Sequence, residues 1–206
     1  MTTTYSQLQA DVRAWIARDD LSDAQVQSFI AMAEARINRL VDAWQKDETF
    51  SAIVSQGNGY ATLPTGYAGF RSIQWADNLD FPLSYVAPQV LANFSTEVTG
   101  RPQFFTVYGT RIAFERSADA DYTLIGIMNK NLTPLSDSTT TNWLTETHQD
   151  VLLWGALCEA SSFGMDHEQA AVWKAKFDQG IAEIRAKDKR EKYGPAPTIR
   201  VDRYCP

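Results

Sequence analysis

Two histidines are the first places to look for chemistry, because imidazole titrates near neutral pH and ligates metals. His148 stands between Glu146 and Asp150, and His167 between Asp166 and Glu168. Residues two apart on a helix point to different faces, so Glu146, His148 and Asp150 do not converge on a metal or form an acid–base pair. Asp166 and Glu168 fall where a helix begins, and acidic side chains there answer the helix dipole, so His167 reads as part of a cap. Cys158 and Cys205 have neither a metal-ligand nor a redox spacing. Cys158 lies in an apolar helical run as a small core residue, and no disulfide with Cys205 is expected. Gly57-Asn58-Gly59 lacks the lysine and following helix of a phosphate loop and reads as a hairpin turn. The expectation is a chain that is not an enzyme and carries no cofactor and no metal.

Interaction is the chemistry that remains. The segment from Asp188 to Pro206 differs from everything before it: the charge cluster Lys187 to Lys192, then Tyr193-Gly194-Pro195-Ala196-Pro197, then Thr198-Ile199-Arg200-Val201-Asp202-Arg203-Tyr204. From Glu183 onward the local charge is +3, which leaves −9 on the rest. Prolines narrow the unbound ensemble and so reduce the ordering cost of docking. Thr198 to Val201 has strand propensity and suits addition to a partner's sheet edge. Extended, the residues from Gly194 span roughly 40 Å. Tyr193, Pro195, Pro197, Ile199, Val201 and Tyr204 are therefore the candidate docking residues. Aromatics concentrated in the middle of the chain, among them Tyr60, Tyr67, Phe70, Trp75, Phe81, Tyr85, Phe104, Phe105 and Tyr108, offer a second surface. They fit a protein interface or, alternatively, a glycan-binding platform built around Trp75 and Tyr85.

The elements that position these groups follow from apolar spacing. Leu8, Val12, Trp15 and Ile16 predict a helix over 5–18. Ser22 with Gln25 is a capping box opening a second helix, whose stripe is Val26, Phe29, Ile30, Ala33, Ile37, Leu40, Val41 and Trp44. From Glu48 the period shortens. Strands are expected at Phe50–Val54, Tyr60–Leu63, Phe70–Trp75, Phe81–Tyr85, Phe104–Tyr108, Arg111–Arg116 and Tyr122–Met128, with a short helix opened by Pro88. These make one small antiparallel sheet. Trp143 to Phe163 then reads as a single helix apolar on nearly every side, where Gly155 and Ala156 let neighbours approach. Gly164 ends it, and Asp166 with Gln169 caps a last helix with the stripe Ala170, Trp173, Phe177, Ile181 and Ile184. The fold class is α+β: about four main helices, over 5–45 and 143–187, form a bundle with a central antiparallel β insertion over 48–130. The domain is 1–187 and the extended docking tail 188–206.

Composition bounds the partners. A chain of 206 residues with net charge −6 and pI near 4.9 lacks the positive field that holds DNA, RNA or anionic lipid. No apolar run reaches the ~20 residues needed to cross a bilayer, and no secretory signal opens the sequence, so synthesis in the cytoplasm is expected.

Three segments, DVRAWIARDDLSDAQVQSFIAMAEARINR, GRPQFFTVYGTRIAFERSADADYTL and LSDSTTTNWLTETHQDVLLWGALCEASSF, resemble the head-to-tail adaptor proteins of tailed bacteriophages. The resemblance covers most of residues 5–187. It implies a structural virion protein at the neck, made in the host cytoplasm: a ring, usually a dodecamer, beneath the portal protein at the capsid vertex. Such a ring extends the DNA channel, passes DNA without specific binding, and presents a surface to the tail or a further neck protein. A C-terminal extension commonly reaches the portal in that family, which would give Tyr193 to Pro206 a role.

Overall fold

The computed structural model describes residues 3–18, 20–79, 82–94 and 98–193. Two compact units result. One combines the residues up to Gln45 with those from Leu132 onward, and the other is Lys46–Asn131.

The first unit is helical. Helix α1, Tyr5–Ile16, opens on a capping box in which Thr4 accepts from the Gln7 N–H and the Gln7 side chain accepts from the Thr4 N–H. Helix α2, Asp23–Leu40, opens on the expected box between Ser22 and Gln25. Its buried stripe holds from Val26 to Ile37, but the helix stops at Leu40, and Trp44, 46% exposed, enters a 3-10 turn over Trp44–Lys46.

The single helix expected over Trp143 to Phe163 is two: α4, Trp143–Thr147, and α5, Gln149–Phe163. His148, at φ −141° and ψ 42°, separates them. Local polar bonds mark both ends of α4, which is barely more than a turn long. Asn142 accepts from the Leu144 and Thr145 N–H groups, and the Thr147 hydroxyl turns back to the Trp143 carbonyl at 2.6 Å. The apolar period runs straight through this break, which is why spacing alone hides it.

Helix α6, His167–Tyr193, follows Gly164, and Asp166 Oδ1 accepts from the Gln169 N–H at 3.0 Å. It continues through the Lys187–Lys192 charge cluster, so residues 188–193 are helical rather than the start of an extended segment. Charged residues spaced three and four apart are compatible with helix, and only Gly194-Pro195 carries a stop signal.

Helix α5 packs against α1, α2, α4 and α6. One core joins Leu8 and Val12 to Phe29, Ile30 and Ile37, to Leu144, to Leu152 and Leu157, and to Phe177, Ile181 and Ile184. Gly155 marks the closest approach: a Cβ there would meet Ala33 Cβ at 2.9 Å and the Phe177 ring at 3.0 Å.

The second unit holds two sheets where one was expected. Strands β1 (Asp47–Val54), β7 (Tyr122–Lys130) and β3 (Tyr67–Trp75) form an antiparallel sheet in the order β1-β7-β3. Strands β2 (Tyr60–Thr62), β6 (Arg111–Phe114), β5 (Phe104–Tyr108) and β4 (Ser84–Tyr85) form the other, in the order β2-β6-β5-β4. The β4–β5 pair is parallel, because the chain between them crosses over through α3, Pro88–Leu91, with Pro88 in its first turn. Phe81, placed at the head of the strand expected over 81–85, lies outside the described residues.

Alternation explains why both sheets are buried on one side. Phe50, Val54, Ile73, Trp75 and Leu124 from one sheet join Phe105, Ile112 and Phe114 from the other in a single core. Period-2 patterning marks the inward residues without saying how many sheets they come from. Gly126 pairs with Ile73, just past the irregularity between Phe70 and Ser72 of β3, and a Cβ there would fall 2.2 Å from the Ser72 carbonyl oxygen.

Candidate docking surfaces

The base of the C-terminal segment is bonded to the turn that follows α2. Asp188 Oδ1 accepts from the Trp44 backbone N–H at 2.8 Å. One oxygen of Glu191 accepts from the Trp44 indole N–H at 2.7 Å and from Gln45 Nε2 at 2.8 Å. Arg185 donates twice to the Leu40 carbonyl, at 2.9 and 2.5 Å. A cation there answers the negative end of the α2 dipole and satisfies a carbonyl that the helix cannot. Asp188 and Glu191, from the charge cluster assigned to the start of the tail, thus join Arg185 in fastening α6 to the turn that follows α2. The spacing of Arg185, Asp188 and Glu191 at intervals of three, one helical face, is the signal that could have shown this. Tyr193 closes α6. Pro195, Pro197, Ile199, Val201 and Tyr204, together with Cys205, lie outside the described residues.

A second surface gathers where α1 and α5 end and α6 begins. Trp15 meets Trp173 edge-on with ring centroids 5.5 Å apart, and Lys176 Nζ lies 4.8 Å from the Trp173 ring. Phe163 leans on the buried Phe29 at 5.6 Å, yet is itself 53% exposed, beside Met165 at 82%. A protein that leaves Trp15, Phe163 and Met165 at one end of a helical unit presents an apolar patch of the kind that marks interaction sites. Sequence reading assigned Trp15 to a core stripe; it sits at the rim of that stripe, one turn beyond Val12.

The third surface is on the β unit. Trp75 is 2% exposed and its indole N–H donates to the Pro102 carbonyl at 2.9 Å, so it is a core residue and not a stacking platform. Among the described residues of the aromatic set, Tyr60, Tyr85 and Tyr108 are exposed. Arg111 lies over the Tyr60 ring, 4.7 Å from its centroid. Between Tyr60, Tyr108 and Arg111 on one side and Pro88, Leu91 and Ala92 on the other runs a groove of about 440 Å³.

Titratable groups in the interior serve structure. Glu34 is buried in the helical core, where it accepts from the Leu135 N–H at 3.1 Å and from Asn142 Nδ2 at 2.7 Å. Burial pushes its carboxyl above the usual range, and those two hydrogen bonds only partly offset it. His148 is pushed below its ordinary value by burial first and by the Lys187 charge second. Its ring meets Trp143 edge-on at 5.0 Å. Burial raises the Cys158 thiol, which holds it in the unreactive protonated form. Among the described residues no three His, Cys, Asp or Glu side chains are grouped to hold a metal ion, and no helix is long and apolar enough to cross a membrane.

Two folded units that turn aromatic and apolar side chains outward, with a fastened root for a proline-bearing segment, define an assembly module. The chain belongs to the SU10 adaptor protein family, a phage head–tail adaptor family, which it matches over residues 3–201. No curated protein matches the sequence. Its role is that of a structural adaptor among the head–tail proteins of a phage virion.

Proposed function

We propose that copies of this chain close into a ring, twelve in number, between the portal protein and the tail or next neck protein, extending the DNA channel. In this reading the segment carrying Tyr193, Pro195, Pro197, Ile199, Val201 and Tyr204 docks on the portal. The observation that carries it is the family match, which runs beyond the end of α6 to residue 201 and so takes in most of that segment. Two physical features support it. The bonds from Asp188 and Glu191 to Trp44 fix the point from which the segment departs. A closed ring also needs two different patches per subunit, and the apolar end at Trp15, Phe163 and Met165 differs wholly from the tyrosine–arginine face of the β unit. A net charge of −6 suits a channel wall past which DNA slides without adhering. Electron microscopy of virions, or of the protein mixed with its portal, tests the proposal. A ring of this subunit at the neck is expected, and finding the chain only on distal fibres would overturn it.

A further inference from the structure

The β unit contains four arginines, and three have acidic partners. Arg71 bridges Asp47 at 3.1 Å, Arg101 bridges Asp77, and Arg116 bridges Glu115 at 3.0 Å. Arg111 makes no ion pair among the described residues. Its guanidinium lies on the Tyr60 ring instead, which holds the fork in place while leaving its donors available.

The groove beside it has a built floor. Outward-facing positions on β5 and β6 bring Thr106 opposite Ala113, and both are small and buried. Thr106 is 1% exposed and its buried hydroxyl has no hydrogen-bond partner among the described residues, although the residue lines the groove. A buried hydroxyl without a partner is unfavourable, and a ligand atom is one way to satisfy it. The Glu115 charge at the far end does not compete, since Arg116 and the Gln103 and Phe104 N–H groups already occupy its oxygens. The opposite wall, Pro88, Leu91 and Ala92, is apolar.

We propose that this groove is a docking site for an extended segment of a separate protein, one that presents an Asp or Glu carboxylate to Arg111 and an adjacent apolar side chain to Pro88 and Leu91. The inference rests on the adaptor reading for the source of that segment, another head–tail protein. Charge complementarity chooses the occupant. Arg111 is a planar two-donor site, which matches a carboxylate. The guanidinium takes one face of the Tyr60 ring, which leaves less of it for a sugar to stack on. Nucleic acid is disfavoured by the acidic chain around a single unpaired arginine.

The probe is a random heptapeptide display library panned on the full-length protein, followed by binding measurements on the enriched peptides. Enrichment of Asp or Glu next to an apolar residue is expected. Binding should fall on the order of tenfold or more with Arg111→Gln, and equally when the peptide's acid is replaced by its amide. Arg111→Lys, which keeps the charge without the fork, and Thr106→Val, which removes only the hydroxyl, should each weaken binding less. Each of four results overturns the proposal. These are no acidic enrichment, unchanged affinity in Arg111→Gln with its fold intact by circular dichroism, competition by a single-stranded oligonucleotide or inorganic phosphate, and loss in Arg111→Gln of a self-association that the wild type shows with no other protein present. The last would make the occupant a second copy. Absence of any ring in wild-type particles would instead count against the adaptor reading, so the two failures are distinguishable.

Discussion

The indole N–H of Trp44 donates to the carboxylate of Glu191 at 2.7 Å, joining residues 147 positions apart. It ties the turn after α2 to the last turns of α6, directly before the segment assigned to docking. Glu191→Ala should therefore cost little global stability, about 0.5–1.5 kcal/mol for the lost hydrogen bonds at a part-exposed site. Its main effect should be local: faster amide exchange over the last two turns of α6 than in the wild type. Unchanged exchange there would remove Glu191 as an anchor.

Gly155 lies where α2 and α6 both close on α5. Gly→Ala in a helix ordinarily stabilises by up to about 1 kcal/mol. Here the added methyl meets Ala33 Cβ and the Phe177 ring, neither of which is a flexible chain end. Gly155→Ala should lower stability by about 1–3 kcal/mol in denaturant titration. A stabilised variant would show that the helices are not packed this closely.

His148 gives stability a pH dependence of definite sign. Its folded value is depressed below 6.5. As pH falls below 6.5 the unfolded chain takes up a proton that the folded chain does not, so stability declines until the folded value is reached and is full above 6.5. Replacing His148 by Gln should flatten this part of the stability profile.

Glu34 works in the opposite direction. Its folded value lies above 4.5, so the folded state holds a proton that the unfolded chain has released. Stability falls as pH rises from 4.5 through the raised value, and the cost persists above it. Glu34→Gln should remove that decline, measured as a smaller drop in midpoint across the window. Glu34→Leu should be worse than Gln, because it strands the Leu135 N–H without an acceptor and leaves the Asn142 amide only the Thr133 carbonyl, at 3.2 Å.

Removing residues 194–206 should leave the helical content and melting temperature unchanged while weakening attachment to the portal. Undiminished binding by the truncated chain would take the segment out of the mechanism.

Much of this was legible from residues. Ser22 with Gln25, Asp166 before Gln169, and Pro88 opening α3 each carry local chemistry that acts within a turn of chain, so spacing reveals them. Other features depend on what lies opposite. The break at His148 hides inside a continuous apolar period. Trp75 and Tyr85 look alike as strand aromatics, and only the second sheet decides that one is interior and the other exposed. The groove escaped notice because Thr106 and Ala113 are inconspicuous until β5 and β6 are paired. The same holds for Arg111, whose lack of an acid becomes visible only when the acids of its neighbours are assigned.

The position of α5 in the chain has a consequence for synthesis. Every other helix of its unit rests on a segment that leaves the ribosome only after residue 149. Residues 46–131 are contiguous, carry their own core, and are complete before then. Nascent chains should accordingly fold from the middle outward, with α1 and α2 keeping their apolar stripes exposed until the last quarter of the polypeptide arrives. That interval is when the chain is most open to aggregation or chaperone capture.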